Sequence, residues 1–162
     1  NKPPLLGINI GRKASRRKDT GANIHAVREF VVNIGTASQM AAIHESSAEH
    51  APDISEAELL GLAVLPSETV RVPRLAHVPV SMECKLDRVI EFGQTGAEFI
   101  VGEVTVFHVR DGLMHDGKID TRALDPVCRI GGPNYAKLGE IVTLRGIQQT
   151  PKAVINDIGR GG

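Results

Sequence analysis

The sequence predicts a mainly β domain with short helical insertions, on three observations. Val80, Met82, Cys84 and Leu86 alternate with Ser81, Glu83, Lys85 and Asp87, a period-two pattern with one apolar and one wet face. The turn signal Gln94-Thr95-Gly96 and the run from Phe99 to Val109 complete a hairpin with it. Aromatic residues make up only 3% of the chain, so core packing falls to Val, Ile and Leu, which suit strands.

The elements follow in order. After Asn1-Lys2-Pro3-Pro4, the run Leu5-Leu6-Gly7-Ile8-Asn9-Ile10 reads as a buried strand. The basic loop Gly11 to Thr20 comes next, and Asp19 or Thr20 is a good N-cap for a helix from Gly21 to Glu29, with Ile24 and Val27 at helical spacing. Phe30 to Ile34 is a second buried strand. Met40 and Ile43 mark a short amphipathic helix between Ser38 and Ser47, and Ser55 caps another that Gly61 closes. Pro66, Pro73 and Pro79 each remove a ladder donor, so Ala63 to Pro79 is an extended connection with short edge pairings such as Val70-Arg71-Val72.

Around Arg88-Val89-Ile90 the alternation slips, which marks a bulge or a bend of the kind a barrel needs. Asp111 to Gly117 turns on two Asp-Gly steps and lacks the ligand pattern of a calcium loop. Asp120 to Leu124 makes one helical turn, Arg129 to Tyr135 is a tight glycine-rich segment, and Ile141 to Leu144 is a last candidate strand. Residues 1–146 form one domain and residues 147–162 a polar tail.

Charge sets further bounds. Lys+Arg 19 balances Asp+Glu 19, so the five cations between Gly11 and Thr20 are a local concentration. A nucleic-acid binder would show a broader basic face. Cys84 and Cys128 have no CxxC or Cys/His ligand spacing and read as buried thiols in a reducing compartment. No apolar run is long enough for a membrane helix, and no signal-peptide pattern is present, which makes a cytoplasmic protein the expectation.

Chemistry concentrates in the basic loop. Cationic side chains, hydroxyls and unpaired backbone N–H groups converge there on one helix start, which is what a bound phosphate needs. Simple solvation, nucleic-acid contact or an address signal would also account for such a cluster. The six histidines show no metal-ligand spacing, Ser46, Ser47 and Ser81 lack a nucleophile-elbow setting, and neither a Rossmann fingerprint nor a P-loop follows a strand. No metal site and no catalytic residue is assigned. His108 shares a strand face with Val104 and Val106, where a packed, hydrogen-bonded role is weighed against a catalytic one.

The order and spacing of several segments carry a resemblance. They include Pro3-Pro4-Leu5-Leu6-Gly7-Ile8, Lys18-Asp19-Thr20 with Asn23-Ile24, and Glu29-Phe30-Val31-Val32-Asn33. Ser47-Ala48-Glu49-His50, Glu58-Leu59-Leu60-Gly61-Leu62, Met82-Glu83-Cys84-Lys85-Leu86 and Gly102-Glu103-Val104 with His108-Val109-Arg110-Asp111 continue it. Arg129-Ile130-Gly131-Gly132 with Tyr135-Ala136-Lys137-Leu138 ends it. Across Asn1 to Glu140 the chain resembles the flavin reductase-like, FMN-binding split-barrel proteins.

The resemblance implies a six-stranded antiparallel split β-barrel with short helical insertions, a homodimer, and FMN near the subunit interface. It implies phosphate contacts from Lys18 and Thr20 with Asp19 and Ser15 beside them, and a flavin lying along Asn9, Ile10, Gly11 and Arg12. Arg129 and Tyr135 would complete the pocket. The implied function is an FMN-binding flavoprotein, a flavin reductase-like oxidoreductase passing electrons from NADH or NADPH through FMN to a small-molecule or protein acceptor. The alternatives are a non-catalytic FMN-binding protein on the same scaffold and a phosphate-backbone binding module; the leading reading involves neither nucleic acid nor membrane.

Two departures stand beside this. The family carries first barrel strands and further flavin contacts ahead of the Pro-Pro strand, so a preceding segment is expected before Asn1. Around Ile43-His44 the family more often reads Met-Asn, so no contact is carried over there.

Overall fold

The computed structural model describes residues 2–13 and 16–147. The chain enters through β1 (Leu5–Ile10), folds a two-rung ribbon from β2 (Arg12–Lys13) and β3 (Arg16–Arg17), and continues into α1 (Asp19–Val27) and β4 (Glu29–Asn33). A 3-10 turn (Ala37–Gln39) leads into α2 (Met40–Glu45), followed by α3 (Glu56–Leu59). β5 (Val64–Leu65) pairs with β6 (Arg74–Leu75) ahead of the long hairpin of β7 (Val80–Phe92) and β8 (Ala97–Val109). Then come β9 (Met114–His115), β10 (Lys118–Ile119), α4 (Thr121–Leu124) and the hairpin of β11 (Val127–Gly131) and β12 (Asn134–Lys137).

The fold is mainly β, as the alternation implies. Among the described residues its main sheet has four antiparallel strands in the order β1-β8-β7-β4 and does not close, in place of the six expected. β1 and β4 each have one partner in it, and the remaining strands form separate two-stranded ribbons.

Edge position explains β1. Its residues alternate between exposed and partly covered, ending on buried Ile10, so only one face is inside and the fully buried strand of the sequence reading is not realised. Helix α1 begins at Asp19, two residues ahead of the expected Gly21: Lys18, and neither Asp19 nor Thr20, is the N-cap, extended and without a side-chain cap bond. Arg28 ends the helix in the left-handed region at φ 64°, its N–H donating to the Ile24 carbonyl at 2.8 Å. Helix α3 keeps its expected cap, with Ser55 Oγ accepting from the Glu58 N–H.

The core gathers Ile10, Ile24, Phe30, Cys84, Ile100 and Val104, with Leu6, Ile8, Val32 and Met82 packed around it. Each fully buried aliphatic side chain of this set contributes about 1.5–3 kcal/mol. Gly102 is a close approach: a Cβ there would lie 2.5 Å from the Phe30 ring and 3.1 Å from Cys84 Cβ.

The alternation in β7 leaves a wet face only from Lys85 onward, where Lys85 and Asp87 are exposed. Ser81 and Glu83 are as deeply buried as Cys84, and register shifts fall between Glu83 and Cys84 and between Leu86 and Arg88. The first shift skips Thr105 of β8, so Met82, Cys84 and Leu86 stay on the core side and Glu83 is buried on the other face by Glu68, Thr69 and His108. Hydrogen bonds satisfy the polar residues, Ser81 Oγ donating to Asn33 Oδ1 at 3.0 Å.

Three smaller expectations are corrected. Cys128 is exposed, not buried, because its hairpin stands off the main sheet. Pairing in the Ala63 to Pro79 connection falls on β5 and β6 and not on Val70 to Val72, where Val70 instead packs inward. Ile141 to Leu144 forms no strand; no neighbouring strand among the described residues offers it a ladder, and Val142 and Leu144 stay exposed. Beyond residue 147 the tail lies outside the described residues.

Candidate functional site

The basic ribbon carries its own electrostatic problem. Its register sets Arg12 opposite Arg17 and Lys13 opposite Arg16, so both rungs pair like charges, which is unfavourable unless anions intervene. Ile10 pairs with Glu98 across β1 and β8, and this register delivers the Glu98 carboxylate beneath the ribbon.

Glu98 has a side chain 2% exposed and accepts from Arg17 Nε at 2.8 Å, with His25 Nε2 at 3.3 Å and Arg12 Nη2 at 3.9 Å. Burial pushes its carboxyl up, but the Arg17 hydrogen bond and charge, with His25, outweigh burial and hold it below the ordinary range. Arg12 is further fixed by donating from Nε to the Gly96 carbonyl at 2.9 Å. Lys13 pairs with the exposed Glu49, whose carboxyl the Lys13 hydrogen bond and charge hold low.

This division leaves Arg16 and Lys18 without a carboxylate partner among the described residues. Both line a polar cavity of about 600 Å³ at the start of α1. Asp19 and Thr20 form its floor, and Arg129 and Gly132 reach in from the β11/β12 turn. Because Lys18 caps α1 without a side-chain bond, the first-turn N–H groups have no side-chain cap there, and the helix dipole adds partial positive charge.

Of the residues singled out from sequence, Lys18, Asp19, Thr20 and Arg129 therefore meet in one cavity wall. Arg12 sits beside it, turned toward Gly96 and Glu98. Asn9 and Ile10 lie on β1, Ile10 in the core, and Gly11 follows them; none of the three lines this cavity. Ser15 lies outside the described residues. Tyr135 does not line the cavity either; its ring lies 5.7 Å from the Arg129 guanidinium carbon, and its hydroxyl is 3.3 Å from His44 Nδ1. Arg129 Nε donates to the Gly132 carbonyl at 2.9 Å, so Tyr135 and Gly132 together hold the guanidinium.

Sequence reasoning missed Glu98 and His25, which act through the ribbon, and Ser46, Ser47 and His50, which complete the wall after α2. The adjacent hydroxyls of Ser46-Ser47 are the one local signal for the latter. An apolar groove of about 350 Å³ joins the cavity through Ser46 and Glu56, lined by Ile43, Ala57, Leu62 and Val78 among others. The combined surface is a cationic pocket opening onto an apolar trough. That arrangement suits a ligand with a phosphate at one end and a planar apolar body.

Known proteins resemble this chain in sequence and fold. The family model described as the flavin reductase like domain matches residues 1–122. A protein of Halalkalibacterium halodurans is 43% identical over 147 residues, covering 88% of this chain and 70% of the relative. The crystal structure of nitrilotriacetate monooxygenase component B from Bacillus cereus superposes with a TM-score of 0.83 at 40% identity, over 88% of this chain and 72% of that one. The 2-nitrobenzoate 2-nitroreductase of Pseudomonas fluorescens does so with a TM-score of 0.78 at 31% identity, over 93% and 73%.

Proposed function

Since the chain belongs to the flavin reductase-like domain family, we propose that it is an FMN-binding oxidoreductase that takes electrons from NADH or NADPH and passes them to an acceptor. The observation that carries this reading is the cavity at the start of α1, where Lys18, Arg16, Thr20 and Arg129 converge on uncapped backbone N–H groups. A phosphate dianion is held by charge-assisted hydrogen bonds, each worth about 1.5–3 kcal/mol.

The donor set fits FMN. Lys18 and Arg16 supply charge with no carboxylate among the described residues within salt-bridge distance, although Glu49 on the same wall feels both; Thr20 supplies a hydroxyl, and Asp19 contributes its backbone N–H. Arg129, held against Tyr135, closes the pocket from the other side. FMN, when bound, supplies the hydride-accepting and electron-donating chemistry. The chain orients it through the phosphate end and leaves the apolar trough to shield the ring from water. On this reading β1-β8-β7-β4 is part of a six-stranded split barrel, and the protein acts as a homodimer in the cytoplasm.

The test is an absorption spectrum of the purified protein after addition of FMN, then anaerobic titration with NADH or NADPH. Bound-flavin bands that bleach with either nucleotide support the oxidoreductase and identify the donor. Bands that persist assign a non-catalytic FMN-binding role, and no bands with added FMN would remove the flavin reading.

A further inference from the structure

The apolar groove opens at its other end into a third cavity of about 600 Å³, which it meets through His77 and Val78. This cavity lies where β6, the entry to β7 and the end of β8 come together. Arg74, His77, His108 and Arg110 bring basic groups to it, and Val78, Pro79 and Phe107 bring apolar surface.

Its arginines differ from those of the ribbon. Arg17 is tied to Glu98, whereas neither Arg74 nor Arg110 has a carboxylate within salt-bridge distance among the described residues. Arg110 donates from Nη2 to the Ala123 carbonyl at 3.2 Å. Arg74 Nε is buried and has no hydrogen-bond partner among the described residues. An orphaned buried donor is costly, and guanidinium N–H groups are ordinarily satisfied.

The carboxylates near the cavity are accounted for. Glu83 is fully buried and accepts from the Glu68 and Thr69 N–H groups, the Thr69 hydroxyl and His108 Nε2. Glu68 lies at the rim, exposed, with Oε1 3.9 Å from His108 Nδ1. Because the Glu83 carboxylate accepts a hydrogen bond from His108 Nε2–H, the Nδ1 edge is the one left to face a ligand.

We infer that this cavity binds a carboxylate attached to an apolar body, with Arg74 and Arg110 taking the carboxylate and Phe107, Val78 and Pro79 packing on the body. A guanidinium presents parallel N–H donors matched to a carboxylate. A phosphate is the poorer fit, because no helix start lines this wall and the Arg110 N–H already donates to the Pro79 carbonyl at 2.9 Å. The site is separate from the cavity at α1 and does not depend on FMN.

The test is calorimetric titration of the purified protein, without FMN, using benzoate, uncharged benzamide of nearly the same shape, and inorganic phosphate. Benzoate binds at least about tenfold more tightly than benzamide or phosphate, and Arg74→Gln and Arg110→Gln each weaken it by about tenfold. Phe107→Ala, on an exposed side chain, keeps both cations and weakens benzoate a few-fold, which serves if an arginine variant fails to fold. FMN affinity in all three variants stays at the parent value. Equal affinity for benzoate and benzamide, unchanged benzoate affinity in the folded arginine variants, phosphate binding as tightly as benzoate, or no heat at about 10 mM benzoate would each overturn the assignment.

Discussion

Glu98 and Arg17 lie 81 positions apart in sequence and 2.8 Å apart in space, and their contact decides which cations of the basic loop are free. The buried carboxylate fixes Arg17 with Arg12 beside it, and Arg16 and Lys18 remain for the cavity. Glu98→Gln keeps the shape and removes the charge, so the Arg12/Arg17 rung loses its counter-ion. We expect a loss of about 1–3 kcal/mol, below the full value of a buried pair because Arg17 is partly solvated. Urea unfolding at two salt concentrations checks this: the loss should shrink at high salt, and a salt-independent loss would point to packing instead.

The Lys18→Ala, Thr20→Ala double variant should weaken FMN binding by about 3 kcal/mol and at most several, two charge-assisted or polar contacts being removed. Flavin fluorescence quenching on titration measures it. Unchanged affinity would take the start of α1 out of the flavin site.

Tyr135 positions Arg129 through its ring and not its hydroxyl. Tyr135→Phe should leave FMN affinity nearly unchanged, and Tyr135→Ala should weaken it two- to fivefold, the scale of an exposed cation–π contact of about 0.5–1 kcal/mol. Equal losses in the two variants would shift the role to the His44 contact.

Burial raises the Glu83 carboxyl, but its hydrogen bonds from Glu68, His108 and Thr69 outweigh this and bring it from 4.5 to about 2. A depressed folded value stabilises above the unfolded value and is lost as pH falls, so the contribution fades between pH 4.5 and about 2. Its full size is about 3 kcal/mol. Denaturation midpoints of the parent and Glu83→Gln should differ most near neutral pH and converge on acidification. A gap that stays constant with pH would mean the charge is not what Glu83 contributes.

Gly102→Ala should destabilise by about 1–3 kcal/mol through overpacking, since its methyl would meet the Phe30 ring at 2.5 Å. Thermal unfolding measures this, and truncating the ring in a Gly102→Ala, Phe30→Leu double variant should recover part of the loss.

Local signals were legible where the cause is local. The turn at Gln94-Thr95-Gly96 and its flanking strands follow from residues a few positions apart, and Gly96 does adopt φ +67°. Lys18 and Thr20 stand two positions apart in the chain, so their convergence on a helix start could be read directly. Glu83 could not: its position in an alternating run marks it as wet, and Glu68, Thr69 and His108, from other strands and loops, make burial tolerable. Glu98 and Arg129 reach the basic loop through the β1/β8 register and the β11/β12 turn, which no spacing along the chain encodes. Ile141 to Leu144 shows the reverse error, an apolar run with β propensity and no ladder to join.

The two register shifts of the β7/β8 pair decide where β7 tolerates a change of length. The first shift skips Thr105 of β8 and the second skips Asp87 of β7, so core packing falls on Met82, Cys84 and Leu86 before Asp87 and on Val89 after it. Removing Lys85 would re-phase the residues beyond it, carrying Leu86 and Val89 toward water and drawing Asp87 inward, whereas removing the unpaired Asp87 would restore plain alternation between Leu86 and Val89. β7 can therefore shorten at Asp87 but not at its paired residues, while the β9/β10 turn, outside the main sheet, can absorb insertions without consequence for the phase of β7.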